Sequence, residues 1–229
     1  MARPPRPPHP HPRRLHHHLP PSTPHLELAI QHSPQNPVAA FLWQHPASSL
    51  LGTPIAVRVG GSFTWPPPPP VLELKLRKVV FVAGGVGVNP LVSMLCSLGE
   101  RERGLEVYFF YSMRDPGEGW REAGRMLFLE RVAGVFEGGR VKGGLRLFLT
   151  PKDGGGGRGV LPWSGGEDLG FEKRRVTVGD VAEVIGGDKG AAVVYVCGVP
   201  QMTDEFVEGL TGDGGLGMER ERVLFEKWW

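Results

Sequence analysis

No histidine lies beyond His45 in this 229-residue chain; six of the eight fall within residues 1–25, and the others are His32 and His45. A serine or cysteine hydrolase needs an imidazole base in its folded body, and a catalytic zinc held by histidines needs the same. Both classes are disfavoured. Cysteine is nearly absent too: Cys96 and Cys197 make neither a disulfide framework nor a zinc site. They suit a reducing compartment, cytoplasmic or mitochondrial rather than secreted. Uninterrupted apolar runs of about 18 residues are missing, since the longest candidate, Val79 to Leu95, is broken by Gly84, Gly85, Gly87, Asn89 and Pro90. No membrane span is expected. Acidic side chains are absent from residues 1–25, which carry four arginines, whereas the remainder holds 22 basic and 24 acidic residues. The basic balance therefore belongs to the tail, and a nucleic-acid partner is not implied.

Proline and glycine divide the chain. Nine of 23 prolines lie in the first 24 residues and five more form Pro66 to Pro70, while 31 of 34 glycines follow Val71. Residues 1–25 cannot hold a helix through so many prolines and read as a disordered Pro/His/Arg-rich tail. Residues 26–77 read as a partial antiparallel barrel with a proline linker. Leu26 to Ile30 and Ile55 to Val59 alternate with period two, Ala39 to Trp43 is a further apolar run, and Gly60-Gly61 turns the chain into Ser62 to Trp65.

From residue 78 to 229 the pattern becomes strand–helix alternation. Strands are expected over 79–83, 105–111, 145–150, 192–197 and 223–225, with helices over 90–98, 126–135, 181–185 and 202–210. Val79 to Ala83 is the continuous β-branched and apolar run of a parallel strand buried on both faces. Five such strands predict an α/β fold with a doubly wound five-stranded parallel sheet. Ligands bind such sheets beyond the carboxyl ends of the strands, which directs attention to the residues that follow each one.

After the first strand stands Gly84-Gly85-Val86-Gly87-Val88-Asn89-Pro90. Glycines there let the backbone approach a phosphate, Asn89 can cap the next helix and Pro90 suits its first position. The exposed N–H groups then favour a pyrophosphate; a structural turn alone would use the same residues. No Gly-Lys-Ser/Thr follows, so this is not a Walker loop. The second strand ends Tyr111-Ser112-Met113-Arg114 rather than in the acid of a standard dinucleotide fingerprint. Ser112 and Arg114 suit a ribose 2′-phosphate at least as well as a free ribose, and Asp115 keeps that choice open. The fourth strand runs into Cys197-Gly198-Val199-Pro200-Gln201-Met202, where Cys197 places a polarizable side chain at the active edge, although such a cysteine taken alone is more often a core residue. The chain closes on Phe225-Glu226-Lys227-Trp228-Trp229, two tryptophans that cover a flat ligand or pack on a neighbouring domain. Lys152, Arg158 and the glycines between them read as a flexible surface loop, with a reach of the two cations to a 2′-phosphate as the lesser alternative.

These three motifs, in this order, resemble the ferredoxin–NADP reductase superfamily, and within it the oxidoreductase NAD-binding domain-containing proteins. The resemblance covers residues 78–229 and extends more weakly to Val57 to Phe63. It implies an NAD(P)H-dependent flavin oxidoreductase that passes a hydride from nicotinamide to FAD and electrons to an acceptor the sequence does not name. It further implies that Gly84 to Pro90 hold the pyrophosphate and that Ser112 and Arg114 meet the adenosine end. Cys197 and Gly198, with Val199, Pro200 and Met202, would flank the nicotinamide. Glu226 would organise the transfer site, and Trp228 or Trp229 would stack on the flavin ring.

One departure stands out. The family's Arg-x-Tyr-Ser/Thr flavin segment does not occur in this chain, and only residues 26–77 stand before the α/β body. A six-stranded barrel takes roughly 60 to 75 residues, so a truncated barrel and weak FAD retention are expected. A dinucleotide-binding module without flavin is the competing reading. A methyltransferase fits the Cys-Gly-Val-Pro turn and the tryptophan terminus less well.

Overall fold

The computed structural model describes residues 22, 24, 25, 27–54, 60–69, 71, 75–101 and 104–228. The expected tail before Ser22, Leu26 at the start of the first alternating run, the run over 55–59, Pro70 and Trp229 lie outside the described residues.

Five consecutive residues with no exposed surface, Val79 to Ala83, form the middle of β1 (Lys78–Gly84). The strand is buried on both faces because it is paired in parallel on both edges, with β2 (Glu106–Arg114) and with β6 (Ala192–Gly198). Beyond β2 lie β3 (Lys142–Thr150), β5 (Leu169–Glu172) and the antiparallel edge strand β4 (Arg158–Leu161); beyond β6 lies β7 (Val223–Lys227). The order is β4-β5-β3-β2-β1-β6-β7. The sheet therefore winds outward in both directions from β1, and the carboxyl ends of β1, β2 and β6 enclose a switch point of the kind that holds ligands in doubly wound sheets.

Side-chain alternation along β1 divides the core. Val79, Phe81 and Ala83 pack with α3 (Val88–Arg101) and α4 (Leu129–Glu137). Val80 and Val82 face α5 (Val178–Ile185) and α6 (Pro200–Thr211). Leu91, Leu95 and Leu98 of α3 are fully buried at helical spacing, so the sequence period and the packed face coincide.

All five expected strands are present and mutually parallel, but the sheet has seven strands rather than five. The two extra strands are short, and β4 has only Leu161 buried and β5 only Phe171. They carry no apolar run long enough to mark a strand. A second correction concerns Ala39 to Trp43, expected as β structure and found in α1 (Pro37–Gln44). A short apolar run does not separate strand from helix by periodicity; the local chemistry decides. The Asn36 side chain accepts from the N–H groups of Val38 and Ala39, and Pro37 occupies the first turn. A short helix, α2 (Ala47–Leu50), follows. Among the described residues between 27 and 77 there is no strand longer than the single bridge residue Leu28. The Ser62 to Trp65 segment instead lies on the α/β body: Tyr195 of β6 donates its hydroxyl to the Thr64 carbonyl at 2.9 Å, and Phe63 packs edge-on against the same ring.

Candidate functional site

The carboxyl ends of β1, β2, β3 and β6 open into a cleft of about 710 Å³. Its floor is the turn from β1 into α3. Gly84, Gly85 and Val86 line it, and Gly85 holds φ +53 with open space where a Cβ would stand. That is the conformation and clearance a backbone needs to approach a ligand closely.

The neighbouring glycines have another cause. A Cβ on Gly87 would lie 2.1 Å from the Cys197 carbonyl oxygen, and one on Gly84 would lie 2.5 Å from the Met202 sulfur. These two are glycine so that the turn can press against the end of β6. Gly87 is buried and does not reach the cleft surface, and neither do Val88, Asn89 and Pro90.

Nor does Asn89 cap the helix. α3 begins at Val88, directly after a 3₁₀ turn over Gly85–Gly87, so Asn89 and Pro90 sit inside its first turn. Pro90 costs no hydrogen bond there, because first-turn N–H groups have no intrahelical acceptor. The Asn89 amide, fully buried, donates instead to the Ala29 carbonyl at 3.0 Å. Asn89 thereby ties residues 29–31, which form one wall of the cleft, to the floor.

The far wall is built by β6 and β7. Cys197 has no exposed surface and lies opposite Glu226 in the β6–β7 register. Trp228 donates its backbone N–H to the Gly198 carbonyl at 2.8 Å and its indole N–H to the Cys197 sulfur at 2.9 Å. Burial pushes the Cys197 thiol pKa far up; the indole donor lowers it only in part, and the charge of Glu226 raises it further. Burial thus favours the neutral thiol over the nucleophilic thiolate. Glu226 and Trp228 line the cleft with Val199 and Met202. Buried Cys197 and Gly198 stay behind that surface, and Pro200, exposed in the first turn of α6, does not line the cleft. Trp229 lies outside the described residues.

Ser112 and Arg114 line the cleft at the end of β2, beside Thr150 of β3, the register partner of Arg114. Asp115 does not. Its carboxylate accepts from the Gly117 N–H and from two nitrogens of Arg121 at 2.9 and 2.5 Å. The Arg121 hydrogen bonds hold its pKa below the usual carboxylate range against the opposing effect of burial. Lys152 stays outside the cleft lining, and Arg158 opens β4.

Two contributors escape sequence inspection. The start of α1 lines the cleft through Ser33, Asn36 and Ala39, a placement hidden when Ala39 to Trp43 is read as a strand. Arg175, three residues beyond β5, lines it as well; the basic run Lys173-Arg174-Arg175 just before a helix was the available signal.

No family model matches the chain. Among curated proteins, an oxidoreductase NAD-binding domain-containing protein 1 from Xenopus laevis is 30% identical over 214 residues, covering 89% of this chain and 60% of that protein. The Homo sapiens protein of the same name is 28% identical over the same length. The reductase component of a propane 2-monooxygenase from Rhodococcus jostii is 29% identical over 212 residues, 90% of this chain and 48% of that one. Among solved structures, an Amycolatopsis cytochrome P450 reductase superposes with a TM-score of 0.55 at 18% identity over 93% of this chain and 59% of that one. The chain is thus similar in sequence to the oxidoreductase NAD-binding domain-containing proteins and shares its fold with the cytochrome P450 reductase. The chain spans about 60% of the length of the oxidoreductase NAD-binding domain-containing protein it matches in Xenopus laevis.

Proposed function

We propose that this chain binds a nicotinamide dinucleotide in the cleft and presents its nicotinamide for hydride transfer to a flavin, as an NAD(P)H-dependent flavin oxidoreductase. The observation that carries the reading is the convergence on one cleft of the open, positive-φ Gly85 turn and the Glu226–Trp228 edge, from opposite sides of the switch point. The cleft has room for a dinucleotide. The open Gly85-Val86 turn and the positive end of the α3 dipole behind it suit the pyrophosphate. A flavin, when bound, supplies the acceptor for the hydride and the means to release electrons singly.

The chain's own residues do the positioning. Gly84, Gly87 and Gly198 allow the β1 turn to seat against β6, which fixes the height of the cleft floor. Cys197 contributes an uncharged, polarizable wall behind the nicotinamide end, and its bond to Trp228 sets the plane of the indole. Glu226 brings an acidic group to the same end. Removing water from that pocket favours transfer of a hydride over loss of a proton to solvent.

For the flavin, the start of α1 offers a cleft-facing helix end, but two of its N–H groups are already satisfied by Asn36. The described residues from 27 to 77 supply no strand wall. That observation favours a second reading, dinucleotide binding without resident flavin. A visible absorption spectrum of the purified chain, taken after incubation with FAD and desalting, separates the two. Retained flavin absorbance that bleaches anaerobically with NADPH or NADH supports the reductase. Colourless protein that still binds dinucleotide supports the second reading, and failure to bind either overturns both.

A further inference from the structure

We infer that a shallow groove at the start of α4 is the docking site for the chain's own basic, proline-rich segment, residues 3–14. The groove, of about 410 Å³, is formed by the 3₁₀ turn Ala123–Arg125, the start of α4 and the loop between β4 and β5. It shares no lining residue with the cleft at the switch point. Its occupant lies outside the described residues and is named from the sequence: Arg3, Arg6, Arg13 and Arg14 are interspersed with prolines, and no acid accompanies them.

The lining of the groove includes three carboxylates, Glu122, Glu130 and Asp168, and no cation. Glu122 is bonded to Arg125 at 2.9 Å, and that guanidinium also lies over the Trp120 ring. Glu130 and Asp168 are exposed and make no ion pair among the described residues. Like charges gathered around one groove favour a cation that joins them. The rest of the surface is apolar: Pro162 stands beside Trp163, whose indole is half-buried against the core. A Cβ on Gly165 would stand 2.4 Å from the indole, so glycine there lets the loop close against the ring and fix it. A fixed aromatic face flanked by acids suits a segment of alternating proline and arginine. The pyrrolidine rings pack on the indole, and the guanidiniums pair with the carboxylates.

The attachment of the chain favours this occupant over a separate partner. Ser22 donates to the Glu100 carboxylate at 2.8 Å, at the end of α3, and Glu27 pairs with Arg131, the residue after Glu130 on α4. The segment is therefore tethered on the same helix pair that carries the groove. Arg14 stands eight positions before Ser22 and Arg3 nineteen. At about 3.1 Å per residue for a proline-rich chain, those positions reach roughly 25 and 60 Å from the tether. α4, at nine residues, is only about 13 Å long. Exposed ion pairs are individually weak. Tethering offsets that weakness, because it holds the segment at an effective concentration of about millimolar.

Timed tryptic digestion of the whole chain, read by intact mass, tests this without flavin, dinucleotide or turnover. Docking shields the bonds after Arg13 and Arg14; those after Arg3 and Arg6 precede proline and resist trypsin in any case. In a double variant, Glu130→Gln with Asp168→Asn, both bonds are expected to be cut about fivefold or more faster than in the unaltered chain. Asp213→Asn, which alters an exposed acid in the turn after α6, is expected to leave the rate unchanged. The protection should also persist at roughly tenfold lower protein concentration, as expected of a tethered contact. Equal cleavage in the unaltered chain and the double variant overturns the proposal. Protection that fades on dilution overturns it too, and assigns the groove to the tail of a second copy.

Discussion

The indole of Trp228 donates to the sulfur of Cys197 at 2.9 Å, across the seam between the last strand and the strand beside β1. With the Trp228 N–H bound to the Gly198 carbonyl at 2.8 Å, the ring is fixed as the cover of a buried thiol. In native protein Cys197 is expected to resist iodoacetamide at pH 8, because burial keeps it protonated. Trp228→Ala opens the cover and is expected to raise the alkylation rate about tenfold or more. Trp228→Phe keeps a face over the sulfur and is expected to leave it shielded. Peptide mass spectrometry of timed quenches reads both rates; equal labelling in all three proteins would show that the indole is not the cover.

The two kinds of glycine in the β1 turn make separable predictions. Gly87→Ala sets a methyl against the Cys197 carbonyl, a backbone atom that cannot rotate away. The expected loss is about 3 kcal/mol, at the upper end for overpacking. Gly85→Ala meets no atom but must hold φ +53, which costs roughly 1 kcal/mol. Its methyl then projects where the ligand backbone contact belongs. Urea midpoints at unchanged slope measure the first difference, and dinucleotide titration the second. Gly87→Ala should be the worse for stability, and Gly85→Ala the clearer case of lost binding in a stable protein.

Much of this site was legible from residues alone, for a physical reason. Val79 to Ala83 and Ala192 to Cys197 are apolar throughout because they are buried on both faces, so the strands, and with them the positions of Gly84 and Gly198, declare themselves. β4 and β5 do not, since each buries one large side chain. The start of α1 was hidden because Ala39 to Trp43 has no decisive period, although Asn36-Pro37 carried the cap. Asn89 shows a subtler limit. Its residue type fits a cap, but the preceding 3₁₀ turn starts the helix at Val88, two residues before Pro90, and releases the side chain for a contact with Ala29 that no local pattern encodes.

Acid should weaken the segment that presents Arg175. Burial would raise the Asp180 carboxyl, but hydrogen bonds from Arg174 and Thr177 outweigh it and hold the pKa at about 2, against an ordinary 3.8. A depressed carboxyl stabilises the fold above its unfolded pKa, and that contribution is lost as pH falls from about 4 to about 2. It amounts to something on the order of 2 kcal/mol. Arg174→Met removes the main partner. At pH 7 it is expected to lower stability by about that amount, and to flatten the dependence between pH 4 and 2. Denaturant unfolding of both proteins at pH 7, 4 and 2.5 checks this; parallel pH dependence would assign the acid sensitivity to other carboxyls.

The clasp between Asn89 and Ala29 predicts a local effect without a large global one. Breaking the 3.0 Å bond costs about 1 kcal/mol net. The Asn89 side-chain oxygen, however, is buried with no partner among the described residues, and Asn89→Ala removes that unsatisfied acceptor too, which returns part of the loss. The ion pair between Glu27 and Arg131, half exposed at 3.1 Å, is too solvated to hold the segment alone. In Asn89→Ala, amide exchange over residues 27–33 is therefore expected to rise about fivefold or more, while the global unfolding midpoint moves by less than the equivalent of about 1 kcal/mol. Asn89→Asp should behave differently, because a buried carboxylate facing a carbonyl oxygen is destabilising for the whole fold. If exchange over 27–33 is unchanged in the alanine variant, the cleft wall is held by packing rather than by this amide.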